Sequence, residues 1–126
     1  MRLYIVILAL SMTSLWAESV IKNYKTGELK SKTEVKNTLR EGLSQGYYKD
    51  GSLKYETYFK ADKRDKISKS YYSDGTLKAE QSYTDGLLNG ISKKYYKSGK
   101  LKSKFDFVDD IPISGTSYTK EGKEVE

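Results

Sequence analysis

Through most of this chain, apolar and charged residues alternate. Leu53-Lys54-Tyr55-Glu56-Thr57-Tyr58-Phe59-Lys60 and the stretch from Leu101 to Phe107 step between apolar or aromatic side chains and charged ones. A period of two, rich in aromatics, predicts strand, because successive side chains of an extended backbone point to opposite sides. One early stretch departs from the pattern: Leu3 to Leu10 is an unbroken apolar run.

The alternating stretches recur. The segments NYKTGELK (23–30), YYKDGSLK (47–54), YYSDGTLK (71–78) and YYKSGKLK (95–102) place Gly27, Gly51, Gly75 and Gly99 at intervals of 24 residues, and Tyr24, Tyr48, Tyr72 and Tyr96 keep the same interval. A shortened copy, Tyr118 to Lys123 with Gly122, follows after 23. Self-similarity at a fixed period of this size is the signature of a repeat architecture. The repeats divide as 23–46, 47–70, 71–94, 95–117 and a partial 118–126. The expected fold is all-β: serial antiparallel hairpins in an elongated, twisted, open sheet.

The glycines mark hairpin turns. The residue before each is Thr26, Asp50, Asp74, Ser98 or Glu121. A two-residue type I′ turn would force that residue to positive φ, which Thr and Glu resist. A type I turn closed by a G1 bulge asks only the glycine to be left-handed. This turn sets Tyr48 opposite Ser52 and Tyr47 opposite Leu53. Alternation then collects Tyr47, Leu53, Tyr55, Phe59, Ile67, Tyr71, Leu77, Tyr83, Ile91, Tyr95, Leu101, Phe105 and Phe107 on one face. Tyr48, Lys54, Glu56, Tyr72, Lys78, Glu80, Tyr96, Lys102 and Lys104 fall on the other. The first tyrosine of each pair is expected in the core and the second exposed.

The second connection of each repeat is read as a loop of kept length and drifting composition: Lys36 to Gly42, Ala61 to Lys66, Asp85 to Gly90 and Asp109 to Ser114. The only proline, Pro112, is placed in the last of these loops, outside any strand.

Composition narrows the chemistry. The chain has 126 residues, no Cys, no His and a net charge of +6. That length supports one domain. Disulfides, thiol nucleophiles, zinc sites built from thiolate or imidazole, and histidine triads are excluded. Met1-Arg2, the apolar run Leu3 to Leu10 and the small Ala17 before Glu18 compose a secretory leader over residues 1–17, cleaved after Ala17. The run is shorter than the ~20 apolar residues of a membrane span. With no Cys, a lipoprotein anchor is ruled out. The protein is therefore expected to be exported, periplasmic or secreted, and a disulfide-free exported chain suits a bacterial periplasm.

The pattern Tyr-Tyr-x-Asp-Gly-x-Leu-Lys, followed by Tyr83-x-Asp85-Gly86-x-x-x-Gly90 and Tyr95-Tyr96, resembles the bacterial variant of the MORN repeat, over residues 23–122. The resemblance implies serial β-hairpins and a role as an interaction module. Some similar proteins, of the YwqK type, are described as antitoxins, and some MORN proteins as touching phospholipid. Two departures stand out: Ala61 to Lys66 lacks the second glycine pair, and Asn23 replaces the first tyrosine of repeat 1. Remodelled loops are expected there.

No enzyme is expected, and no cofactor. Asp62 with Asp65 and Asp109 with Asp110 lack the ligand spacing of a calcium loop and read as solvated turn acids. The candidate binding residues are Tyr48, Tyr72 and Tyr96 with Lys54, Lys78 and Lys102, aromatics interleaved with cations that suit stacking on sugars and a grip on anions. The competing and preferred reading is that these tyrosines pack on cross-strand neighbours while the lysines keep the sheet soluble. Gly27, Gly51, Gly75, Gly99 and Gly122 are structural turn residues.

About ten strands span roughly 45 Å at ~4.8 Å each, and a single layer leaves its apolar face against water. The sheet must curl, self-associate or receive a partner. The expected function is therefore an exported, non-catalytic scaffold for a protein partner in the cell envelope, antitoxin- or immunity-like. The alternative is an electrostatic binder of anionic lipid, glycan or peptidoglycan through the Lys/Tyr face. Export and the interspersed Glu56 and Glu80 argue against nucleic acid.

Overall fold

The computed structural model describes residues 4–6 and 18–125. The expected leader, residues 1–17, lies outside the described residues apart from Tyr4–Val6. The strands are β1 (Tyr4–Val6), β2 (Glu18–Asn23), β3 (Leu29–Lys36), β4 (Leu39–Tyr47), β5 (Leu53–Lys60), β6 (Lys63–Tyr71), β7 (Leu77–Thr84), β8 (Leu87–Leu88), β9 (Gly90–Tyr95), β10 (Leu101–Val108), β11 (Ile111–Tyr118) and β12 (Glu124–Val125). They form one sheet in which chain order is spatial order, with the short β8 beside β7. The sheet is antiparallel throughout and open, as its pattern predicts.

The tyrosine turns take the geometry that their residues demand. Gly27, Gly51, Gly75, Gly99 and Gly122 donate their N–H at 2.9–3.0 Å to the carbonyl three residues back, of Tyr24, Tyr48, Tyr72, Tyr96 and Thr119. Each of those five glycines is left-handed, and the residue before it is not. A Cβ at these glycines would meet nothing within 4 Å, so backbone conformation and not space selects glycine. Tyr47 pairs with Leu53, as the turn requires.

The second connections are tighter than their loop reading. Asn37-Thr38, Ala61-Asp62, Asp85-Gly86 and Asp109-Asp110 are two-residue turns with both residues at positive φ, between 46° and 85°. Lys36 pairs with Leu39, Lys60 with Lys63, Thr84 with Leu87 and Val108 with Ile111, so strands run up to each turn. This is the type I′ geometry, whose twist matches the flanking strands. Four residues beyond the turn, Gly42, Lys66 and Gly90 are again left-handed and bulge the strand. The expected remodelling does not occur: Ala61 and Asp62 hold the positive φ of Asn37-Thr38 and Asp85-Gly86, Lys66 holds that of Gly42 and Gly90, and Asn23 pairs with Leu29 as Tyr47 does with Leu53. Pro112 lies within β11, opposite Phe107, and not in a loop. It is tolerated because β12 pairs only Ser117 and Tyr118, leaving the Pro112 edge without a ladder to donate to.

The face assignment needs correction. One residue of each tyrosine hairpin is left out of the pairing: Gly46 faces Tyr55 while Tyr47 faces Leu53, and the same slip recurs at Ser70/Tyr71 and Leu101/Ser103. Such a bulge offsets the alternation by one, exchanging faces across it. Ser44, Gly46, Tyr55, Thr57, Phe59, Ser70, Ala79, Tyr83, Ser92, Phe105 and Phe107 share what we call the aromatic face. Gln45, Glu56, Tyr58, Ile67, Lys69, Glu80, Ile91, Lys93 and Lys104 share the opposite, charged face. Ile67 and Ile91 thus leave the expected apolar set. Tyr47 sides with Gln45, donating its hydroxyl to Gln45 Oε1 at 3.1 Å. Tyr96 and Lys102 join Phe105 and Phe107 around one hollow. The first and second tyrosines are alike half-buried.

The core is thin. Among the described residues, only Val35, Ala79 and Tyr83 are buried hydrophobics, with Ser44, Thr57 and Ser92 beside them. Large rings lie over small residues. A Cβ at Gly46 would sit 2.1 Å from the Tyr55 ring, and one at Gly115 would sit 2.3 Å from the Phe105 ring.

Candidate binding surface

The six candidate residues come together in pairs, and each pair sits at a seam between hairpins. Tyr48 donates its hydroxyl to the Tyr71 carbonyl at 2.7 Å, Tyr72 to that of Tyr95 at 2.8 Å and Tyr96 to that of Tyr118 at 2.7 Å. Tyr24, outside the candidate set, makes the fourth such bond, to Tyr47 at 2.8 Å. Each tyrosine at a turn therefore reaches two strands onward and ties its hairpin to the next. Lys54, Lys78 and Lys102 hold their ammonium groups 5.4–5.5 Å from the ring centres of Tyr48, Tyr72 and Tyr96. The hydroxyls are spoken for by the fold and the rings are capped by cations. The lysine side chains remain exposed.

A second seam runs along the type I′ edge. The N–H groups of Asp62, Gly86 and Asp110 donate to the carbonyls of Arg40, Arg64 and Leu88 at 2.8–3.0 Å, linking each turn to the preceding one. Asp62 Oδ1 accepts from the Arg40 backbone at 3.0 Å and from its guanidinium at 2.8 Å, and Asp110 Oδ1 accepts from the Leu88 N–H at 2.7 Å. Hydrogen bonds from Arg40 hold the Asp62 carboxyl below its usual value. Ser52 does the same for Asp50, its hydroxyl foremost, and the Thr76 backbone N–H for Asp74. Among the described residues no three acids cluster as a metal site would need.

The charged face presents what alternation alone hid. Across its middle, Gln45, Glu56, Lys69, Glu80, Lys93 and Lys104 face one another in register. Alongside them runs an aliphatic stripe, one residue per hairpin: Leu43, Ile67 and Ile91, at the 24-residue interval. Ile67 is 53% exposed and Ile91 44%, with Tyr58 at 39% opposite Leu43. The periodicity of these residues was visible in the chain, but the bulge that turns them outward was not.

Comparison with known families matches three segments, residues 40–61, 64–85 and 88–109, to the MORN repeat variant. Each runs from just past one type I′ turn into the next, so the family unit is one tyrosine hairpin with its two strands. No curated protein matches the chain.

Proposed function

The chain belongs to the MORN repeat variant family, whose repeats are generally non-catalytic binding units, and from that premise we propose an exported scaffold that binds a protein partner in the cell envelope. The observation that carries this reading is the aliphatic stripe, which stands in phase with the repeat on a face that no second layer covers among the described residues. Apolar side chains in a periodic row on an uncovered face mark an interaction surface.

Its geometry suits a helix of the partner. Neighbouring stripe residues lie two strands apart, ~9.6 Å at ~4.8 Å per strand. A helix rises ~10.5 Å over seven residues, so apolar side chains at i, i+7 and i+14 would meet Leu43, Ile67 and Ile91 in turn. The charged row beside the stripe would set register and exclude wrong partners. Restraint of a toxin or effector is the form of binding that the family resemblance suggests, and export rests on the pattern of residues 1–17.

The test is capture from cell-envelope extract on the purified full chain, washed at low and then high salt. Apolar docking keeps its protein through the high-salt wash. Release of all bound material by salt, with lipid or glycan in the eluate, would instead support an electrostatic grip by Lys54, Lys78 and Lys102.

A further inference from the structure

Repeats that serve only the fold should resemble one another, so a cluster of departures is informative. Three fall around one hollow on the aromatic face, away from the stripe. Where earlier repeats carry Thr33, Thr57 and Gln81, the last carries Phe105. Where they carry Gly46 and Ser70, it carries Lys94. Where they carry Arg40 and Arg64, it carries Leu88. Together with Phe107, these residues line a cavity of about 530 Å³.

The departures exchange a polar lining for an apolar floor and move the cation from the Arg40/Arg64 position to Lys94. Lys94 and Lys102 both border the hollow, no carboxylate among the described residues lines it, and both lysines are exposed. Ser92 also borders the hollow: it is 6% exposed, and its Oγ, like that of Ser68 one repeat earlier, is buried without a hydrogen-bond partner. A buried hydroxyl left unpaired carries a desolvation cost that a bound oxygen would remove. The geometry points to a binding site for a small organic monocarboxylate with an apolar body. Its hydrocarbon lies on Phe105, Phe107 and Leu88, and its carboxylate sits between Lys94 and Lys102. Cavities of this size with a mostly apolar lining and a few convergent polar groups are characteristic of small-ligand sites.

The probe is 4-phenylbutyrate, with the uncharged 4-phenylbutanol as its counterpart, titrated into the isotope-labelled full chain by NMR. The acid should give saturable shifts at Ser92, Lys94 and Phe105 with a Kd at or below about 1 mM, and the alcohol should bind about tenfold more weakly. Lys94→Gln with Lys102→Gln should weaken the acid about tenfold. Phe105→Gln, which restores the residue type of the preceding repeat, should weaken acid and alcohol alike. Lys60→Gln, at an exposed lysine outside the hollow, should change nothing. Unsaturable shifts, equal affinity for acid and alcohol, or a Lys60→Gln effect as large as that of the double variant would overturn the site. None of these outcomes bears on the stripe, so this site and the partner reading can fail separately.

Discussion

Replacing Tyr72 by Phe removes one oxygen and should destabilise the sheet measurably. The hydroxyl donates to the Tyr95 carbonyl at 2.8 Å in a half-buried seam, while the ring keeps its place under Lys78. A hydrogen bond of this kind contributes ~0.5–1.5 kcal/mol net. The four seam bonds of Tyr24, Tyr48, Tyr72 and Tyr96 lie ~9.6 Å apart, far enough to add, so the quadruple Phe variant should lose ~2–6 kcal/mol. That is a large fraction of the ~5–15 kcal/mol that holds a typical domain folded. Urea unfolding of the full chain, followed by far-UV circular dichroism, measures each step. Tyr71→Phe is the control: its carbonyl accepts a seam bond, but its own hydroxyl is not the donor there. It should stay within ~0.5 kcal/mol of wild type. If Tyr72→Phe and Tyr71→Phe are indistinguishable, or the quadruple variant is as stable as wild type, the seam does not hold the repeats together.

Three other substitutions or conditions probe the local geometry. Lys66 sits at φ 62° where Gly42 and Gly90 stand in other repeats, so Lys66→Gly should raise stability by ~0.5–1 kcal/mol, and an unchanged urea midpoint would show that the strain is absent. Gly46→Ala drives a methyl into the Tyr55 ring and should cost ~1–3 kcal/mol, read in the same assay. The carboxyls of Asp50, Asp62 and Asp74 are depressed by bonds made in the folded sheet. A depressed folded pKa stabilises above the unfolded value of ~3.9, and the contribution is lost as pH falls through the folded pKa. The urea midpoint should thus be level from neutral pH to about 4.5 and fall below about 4. A midpoint that rises on acidification would contradict the assignment.

Much of the fold was legible because its turns make demands that few residues meet. The glycine after Thr26, Asp50 or Glu121 must be left-handed, and its interval with Tyr and Leu fixed both period and register. The type I′ turns were not legible, because Ala61-Asp62 and Asp109-Asp110 hold positive φ without glycine, supported by bonds to the preceding turn. Nor were the faces. Alternation assumes that every residue is paired, and the one residue left unpaired in each of these hairpins, Lys54, Lys78 or Lys102, reverses the count. For the same reason plain alternation places Ile67 and Ile91 inward, and Tyr48, Tyr72 and Tyr96 outward. The recurring tyrosine was the signal for the seam, but its partner is a carbonyl 22 or 23 residues away that only the stacked hairpins bring near.

The stripe of Leu43, Ile67 and Ile91 is the surface that a protein partner would cover. Its most direct test is to repeat the envelope capture with Ile67→Asp and Ile91→Asp combined, in a full chain shown by circular dichroism to keep its sheet. Both positions are exposed, so the fold should survive while a protein retained by wild type at high salt is lost. Equal retention of that protein by the folded double variant would contradict the proposal that this face is where the scaffold binds.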